Sequence, residues 1–273
     1  MVRLIDTHCH LNFSEFENDR EEIIGRCLDN DIWIINVGAD YKTSRKAVEI
    51  AEKYDKGVYP HHQNFGVGVY ASVALHPHNV QKEKFDISKY RTLAKYSKVV
   101  AIGETGLDYA FCEDDKKIQK LQQKVFIQHL ELAKEVNKPV IIHSRRLFPE
   151  ILEILKTHYS KLKTFGVLHC YMGRWSYAEE YLKMGFYISF TGLITYARDY
   201  DKVIKNCPLE RILIETDAPY LTPIPIRKPE NNPRNEPQYV KYVAKKIAEI
   251  KGVSFDQVAE QTTKNAKELF NLV

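Results

Sequence analysis

Six residues, far apart in the chain, carry the side chains a metal centre needs: His8, His10, Glu104, His143, His169 and Asp217. Each stands at or just beyond the end of an apolar run. Asp6-Thr7-His8-Cys9-His10 closes the first run, Gly103-Glu104 a later one, Ile141-Ile142-His143 and Leu168-His169 two more, and Glu215-Thr216-Asp217 the last. Neutral imidazole suits zinc, whereas carboxylate and water also accept manganese or magnesium. Four imidazoles and two carboxylates around one cavity are enough for two divalent ions. Glu104 is the natural shared ligand, because a carboxylate can offer its two oxygens to separate metals. Two histidines ending a buried strand, or a carboxylate in the same place, are costly without partners. A metal would supply them.

Two such cations, about 3.5–4 Å apart, clamp a phosphodiester and activate a water for attack. In that scheme the first ion is expected at His8, His10, Glu104 and Asp217, and the second at Glu104, His143 and His169. Glu104 and Asp217 are the catalytic carboxylates, with Asp217 orienting the water and accepting its proton. His76 and Arg145 are the candidate substrate contacts. His76 follows another apolar run, and the guanidinium fork of Arg145 matches phosphate oxygens. Arg227, Lys228 and Arg234 could let their loop follow a nucleic-acid backbone. Tyr109, Phe111, Tyr171 and Tyr196 are candidates to stack an unpaired base. His61, His62, His129 and His158 are read as structural. Cys170 is not read as a nucleophile, since alternation turns it away from the cavity.

The elements that must hold these groups follow from periodicity. Strands are expected at Arg3–Asp6, Ile32–Val37, Ala71–Leu75, Val99–Gly103, Val140–Ile142, Val167–Leu168, Phe186–Phe190 and Ile212–Glu215. Their near-continuous apolar character suits parallel strands buried on both faces. Helical spacing lies between them, most clearly over Lys116–Val136, where Ile118, Leu121, Val125, Leu132 and Val136 fall near one face. Further helices are expected from about Pro149, over Tyr177–Met184, from near Asn235 and Pro237, and over Ser254–Leu269 with Ser254 as N-cap. Lys56–Tyr70 looks like an inserted loop. Thr222–Pro237, with five of the eleven prolines, should run extended. Asn235 is expected to fix that loop or cap the helix after it. Alternating strands and helices predict an α/β fold. Eight units close into a (β/α)8 TIM barrel with an extra C-terminal helix, a single domain over residues 1–273; an open sheet would satisfy the same pattern.

Composition sets wider bounds. Hydrophobic residues make up 44% and charged residues 28% of the 273, enough for a sizeable core. No run is long and apolar enough to span a bilayer, and the first residues lack a signal-peptide core. Five cysteines without a CxxC pair point to a reducing, cytoplasmic setting. The net charge of +4 permits a nucleic-acid partner without identifying one.

The stretches IDTHCHL, ALHPH, GETGLDY, IIHSR, LHCYMG, ILIETDAPYL and PRNEP, in this order over nearly the whole chain, resemble the TatD family of metal-dependent deoxyribonucleases. The resemblance implies a TIM barrel, a dinuclear site of magnesium, manganese or zinc, and DNase activity, often exonucleolytic from the 3′ end. The expected partner is DNA, with RNA as the alternative, and the chain is expected to act as a monomer without a membrane. The resemblance makes the same six residues the metal-site residues. The chain departs from the family pattern at ALHP in place of GVHP, at Arg146, at Thr105 and in the longer segment before strand three. These departures bear on substrate contacts. Rival readings are a D-aminoacyl-tRNA deacylase, a hydrolase of a small ester or amide on the same site, and a protein that only binds nucleic acid.

Overall fold

The computed structural model describes residues 3–55, 68–110, 112–158, 166–228 and 230–272. Eight parallel strands form one sheet in the order of the chain: β1 (Leu4–Cys9), β2 (Ile32–Val37), β3 (Val69–Val73), β4 (Val99–Leu107), β5 (Val140–Ser144), β6 (Gly166–Leu168), β7 (Tyr187–Phe190) and β8 (Ile212–Ile214). The sheet closes where the residues after β8 return to β1. The Asp217 N–H donates to the His8 carbonyl at 2.8 Å, and the His10 N–H to the Ala218 carbonyl at 2.8 Å. The result is a TIM barrel.

Helices α1 (Arg20–Asp29), α2 (Tyr41–Asp55), α3 (Ile87–Ala94), α4 (Lys116–Val136), α5 (Phe148–His158), α6 (Trp175–Lys183), α7 (Asp201–Asn206) and α8 (Val240–Lys251) follow the strands, and α9 (Phe255–Phe270) is additional. Ser254 caps α9 in a reciprocal box with Gln257. Two apolar layers result. One lies between strands and helices. The other fills the barrel with Ile5, Ile35, Tyr70, Val100, Ile141, Val167, Tyr187 and Leu213, one or more from every strand, together with Ala266, Phe270 and Leu272. The last three lie on or just after α9, so the extra helix packs against the barrel interior.

Several boundaries differ from the sequence reading, and the differences matter. β1, β4 and β5 run on to Cys9, Leu107 and Ser144, so His8, Glu104 and His143 lie within strands rather than beyond them. Gly103, the last residue of the expected strand, and Gly106 serve close approach to β5. A Cβ on Gly106, where φ is +149°, would sit 2.0 Å from the His143 carbonyl oxygen. Val69 and Tyr70 belong to β3, not to an inserted loop. The rest of that segment, with His61 and His62, lies outside the described residues, as does Phe111. No helix occurs among the described residues of Thr222–Glu236, and a 3₁₀ turn at Pro237–Tyr239 leads into α8.

The stripe that spacing suggested on α4 does face the core: Val125 and Leu132 are buried, and Ile118, Leu121 and Val136 pack against the core part-buried. The buried face is wider, and also carries Gln119, Gln122, Phe126, His129, Leu130 and Ala133. Its polar members grip the barrel's carboxyl end. Gln122 accepts from the Asp108 N–H at 2.9 Å and donates to the Asp108 carbonyl at 2.7 Å. His129 accepts the Leu75 N–H on Nε2 at 3.1 Å, while its Nδ1 donates to the Val125 carbonyl at 2.8 Å and lies 3.1 Å from the Thr105 hydroxyl. Burial pushes the imidazole down to about 4, against the opposing pull of the Val125 carbonyl.

Because that value lies below the ordinary 6.5, the unfolded chain takes up the proton first as pH falls. The contribution of His129 to stability is therefore complete above pH 6.5 and declines toward pH 4. Between pH 6.5 and 5 the wild type should lose roughly 1.5 kcal/mol more than the His129→Gln variant in urea unfolding. Equal pH slopes for the two proteins would refute the assignment.

Candidate metal centre

The rim at the carboxyl ends of the strands gathers all six expected side chains. His8 comes from β1, with His10 just after it. Glu104 comes from β4 and His143 from β5. His169 and Asp217 follow β6 and β8. Glu104 is buried at the middle, and its two oxygens face different sets of imidazoles. Oε2 lies 3.3 Å from His8 Nε2 and 3.9 Å from His10 Nε2. Oε1 lies 2.6 Å from His143 Nδ1, 3.4 Å from His169 Nε2 and 3.5 Å from His76 Nε2. Asp217 Oδ1 closes the first side at 3.7 Å from His8 Nε2 and 3.5 Å from His10 Nε2.

Three groups of donor atoms are close enough to hold an ion: His8, His10 and Asp217; His8, Glu104 and His169; and His76, Glu104 and His143. The geometry thus pairs His169 with His8 and joins His143 to His76, which sequence had placed at the rim as a phosphate contact. His76, expected as a phosphate contact, thus also lies where it could share an ion with Glu104 and His143. Arg145 sits at the rim with its side chain exposed.

Partners behind the donors set their tautomers. His10 Nδ1 donates to the Val37 carbonyl at 2.8 Å, so Nε2 presents its lone pair to the cavity. His8 Nε2 stands 3.2 Å away, and both nitrogens face Asp217. His8 Nδ1 has no hydrogen-bond partner among the described residues, so none of them fixes its tautomer from behind the ring, and a cation between the two Nε2 atoms and Asp217 would find its donors already converged. His169 Nδ1 is bound to Glu215 Oε1 at 2.9 Å, and that carboxylate also takes the Cys170 N–H at 2.6 Å. Asp6, fully buried, accepts from the His8 N–H, the Thr216 N–H and the Thr216 hydroxyl at 3.2, 2.9 and 2.6 Å, tying β1 to the segment that carries Asp217. Asp108 accepts from His143 Nε2 at 3.2 Å and His78 Nε2 at 2.6 Å. Sequence reasoning gave Asp6, Asp108 and Glu215 no role. The only signal was a carboxylate within two residues of a donor in Asp6-Thr7-His8 and Glu215-Thr216-Asp217.

Burial works to raise the Glu104 carboxyl, but His76, His169, His8 and the hydrogen bond from His143 outweigh it and hold the group well below the ordinary carboxylate range. The reciprocal effect appears on the histidines. Burial opposes protonation of His143, yet Asp108 and Glu104 raise it to about 9. At His169, burial is likewise outweighed by Glu215 and Glu104, which raise it to about 10. The carboxylates thus draw protons onto both rings, and a divalent cation bound there would compete with those protons.

The other residues singled out by sequence have contacts of their own. Tyr171 is buried and donates to the Arg174 carbonyl, Tyr109 is half-buried and accepts from Gln123, and Tyr196 lies under the Arg227 guanidinium at 4.6 Å. Their faces are largely spent on packing. Arg234 pairs with Asp19 and covers Phe16, so it fastens its loop to the start of the chain. Cys170 is buried with its sulfur 3.5 Å from the Thr191 hydroxyl. Asn235, also buried, donates to the Thr216 and Tyr220 carbonyls at 2.9 and 2.6 Å and so holds the loop after β8.

A parallel barrel whose carboxyl-end rim collects histidines and carboxylates defines a class, the metal-dependent barrel hydrolases. The comparisons narrow it. A model of the TatD-related DNases matches residues 5–271. A metal-dependent hydrolase of Bacillus subtilis, YabD, is 41% identical over 98% of this chain and 99% of its own. A mouse relative, provisionally named deoxyribonuclease TATDN3, is 31% identical over 98% of this chain and 88% of its own. The crystal structure of YJJV, a TatD homologue from Escherichia coli, superposes with a TM-score of 0.85 at 30% identity, covering 100% of this chain and 99% of that one. This chain belongs to the TatD-related DNase family. No helix among its described residues is long and apolar enough to cross a membrane.

Outer partners of metal-bound histidines usually tune affinity by about 10–100-fold. Glu215→Ala should therefore bind divalent metal about that much more weakly in competition with a chelating dye, with the circular dichroism spectrum retained. Undiminished affinity in a folded variant would show that Glu215 does not support the site.

Proposed function

We propose that this protein is a metal-dependent nuclease that hydrolyses phosphodiester bonds in single-stranded DNA, releasing nucleotides from the 3′ end, with two divalent cations sharing Glu104. One observation carries the reading. The two oxygens of Glu104 face separate donor sets, Oε2 toward His8 and His10 and Oε1 toward His143, His169 and His76. The donors are imidazole and carboxylate, with no thiolate among them, which suits zinc, manganese or magnesium. The family match and the name of the mouse relative support nucleic acid as substrate.

Bound cations there would supply Lewis-acid charge to the phosphodiester and acidify a water. The remaining work belongs to the chain. Asp217, partly exposed toward the cavity, orients the attacking water and accepts its proton at the carboxylate. Glu104 stays ionised because imidazoles surround it. His10 and His169 are held in register by the Val37 carbonyl and by Glu215. Arg145 contacts a phosphate oxygen from the rim, and His76 acts beside Glu104 as well as on the phosphate. We read residues 1–273 as one hydrolase domain working as a monomer in the cytoplasm, a setting that five free cysteines suit.

End-labelled single- and double-stranded DNA, tested with magnesium, manganese and zinc, gives the decisive assay. The expected result is stepwise loss of mononucleotides from the 3′ end of the single strand. In Glu104→Ala and His143→Ala, activity should fall by more than ~100-fold, the upper range for outer-shell partners alone. Release of a D-amino acid from charged tRNA without DNA cleavage would replace this reading with a deacylase. Binding of DNA without turnover under every metal would replace it with a binding protein.

A further inference from the structure

Among the described residues, four large apolar side chains are more than a third exposed: Tyr96, Met172, Tyr220 and Ile224. Three of them, Met172, Tyr220 and Ile224, follow β6 and β8 and so stand on the rim that carries the metal centre. Tyr220 is the most exposed, at 51%. Its backbone is firmly placed. The Tyr220 N–H donates to the Asp217 carbonyl at 2.8 Å, and its own carbonyl accepts from the buried Asn235 amide at 2.6 Å. The first of these bonds closes a turn from Asp217 to Tyr220, which keeps the two α-carbons within about 7 Å. Partial burial and the charges of Glu15, Asp217 and Glu104 raise the phenol above its ordinary range, as expected for a ring in the field of the centre.

A rigid loop that spends a large aromatic on solvent, one turn from a catalytic carboxylate, is poorly explained by packing. The same rim carries exposed Arg145 and Arg146 after β5 and exposed Lys228 in the loop that Tyr220 begins. An apolar π-face on a rim that also presents exposed cations matches one kind of occupant, an unpaired base on a strand whose phosphates those cations can hold. We propose that Tyr220 is a substrate-binding residue that stacks the base of the nucleotide flanking the scissile phosphate, and that it thereby selects unpaired ends. The inference rests on the nuclease reading for its substrate class. It replaces Tyr109, Tyr171 and Tyr196, the described aromatics that sequence suggested for this task.

Two measurements separate the inference from that reading. The first uses a phosphorothioate-linked oligonucleotide carrying 2-aminopurine at either end in turn. Wild type and Tyr220→Phe should quench its fluorescence on binding, and Tyr220→Ala should bind it about 10-fold more weakly without quenching. The second compares cleavage of single strands whose terminal residue bears a base or only 1,2-dideoxyribose. Preference for the base-bearing end, as a ratio of kcat/KM, should fall about 10-fold in Tyr220→Ala and be kept in Tyr220→Phe. Unchanged quenching and unchanged preference in Tyr220→Ala overturn the stacking role while leaving the nuclease intact. Tyr220-dependent quenching by a protein that cleaves no DNA would overturn the nuclease and keep the stack. Neither quenching nor cleavage by the wild type overturns both.

Discussion

A buried carboxylate must be compensated, and the rim of this barrel is arranged around that demand at Glu104. The side chain is almost fully removed from water, with four imidazoles within 3.5 Å of its oxygens. They cannot all compensate it as neutral donors. His169 has committed its Nδ1–H to Glu215, so the nitrogen it turns to Glu104 is a lone pair unless the ring is protonated. His143 stands between two carboxylates and so takes two protons. Each proton forced onto an imidazole substitutes for positive charge that the site requires. Negative charge and lone pairs collected at this density are what bound cations would compensate.

How much of this could be read beforehand depends on strand parity. On β5 and β6 alternation is strict. Ile141 and Val167 lie inside the barrel, Ile142 and Leu168 outside, and His143 and His169 return to the inside. The inward aim of those two histidines was legible from spacing alone. β1 and β4 behave differently. Ile5 lies in the inner layer and Cys9 in the outer one, although residues four apart on a regular strand share a face. A register shift against β2 between Asp6 and Cys9 reverses the parity and turns His8 and His10 inward. On β4, Ala101 is inside while Thr105 faces His129 on α4, and a register shift falls between Ile102 and Thr105. Spacing showed that His8 and His10 share a side. It could not show which side, because an irregularity settled by neighbouring strands has no local pattern.

The outer partners were hidden for another reason. Glu215 precedes Asp217 by two residues and Asp6 precedes His8 by two, so each looks like one more candidate ligand or one more core-adjacent acid. What separates them is direction. Asp6 is spent on the N–H and hydroxyl of Thr216 beyond β8 and on the His8 N–H, and Glu215 on a histidine and an N–H from the loop after β6. Apart from the local bond to His8, these contacts span 45 to 210 positions. No periodicity encodes such separations, whereas the barrel itself, built from eight local strand–helix repeats, is encoded many times over. Fold was therefore more legible than site support, and the donors more legible than the groups that aim them.

The division between the centre and its rim suggests where selectivity resides. Donors on strands are fixed by backbone ladders and by a close-packed interior, so they can change little without loss of the fold. The loops beyond them carry exposed residues such as Arg145, Arg146, Tyr220 and Ile224, whose replacement costs the core nothing. The loop after β8 belongs to both regimes. Its first residues deliver Asp217 to the centre, and Asn235, reaching back from the far end of the proline-rich segment, clamps Thr216 and Tyr220 together. A single buried amide thus couples the position of the carboxylate that would handle the water to that of the most exposed ring on the rim. Chemistry and substrate choice are mechanically linked through that amide, and a change in the proline-rich loop would be felt at both.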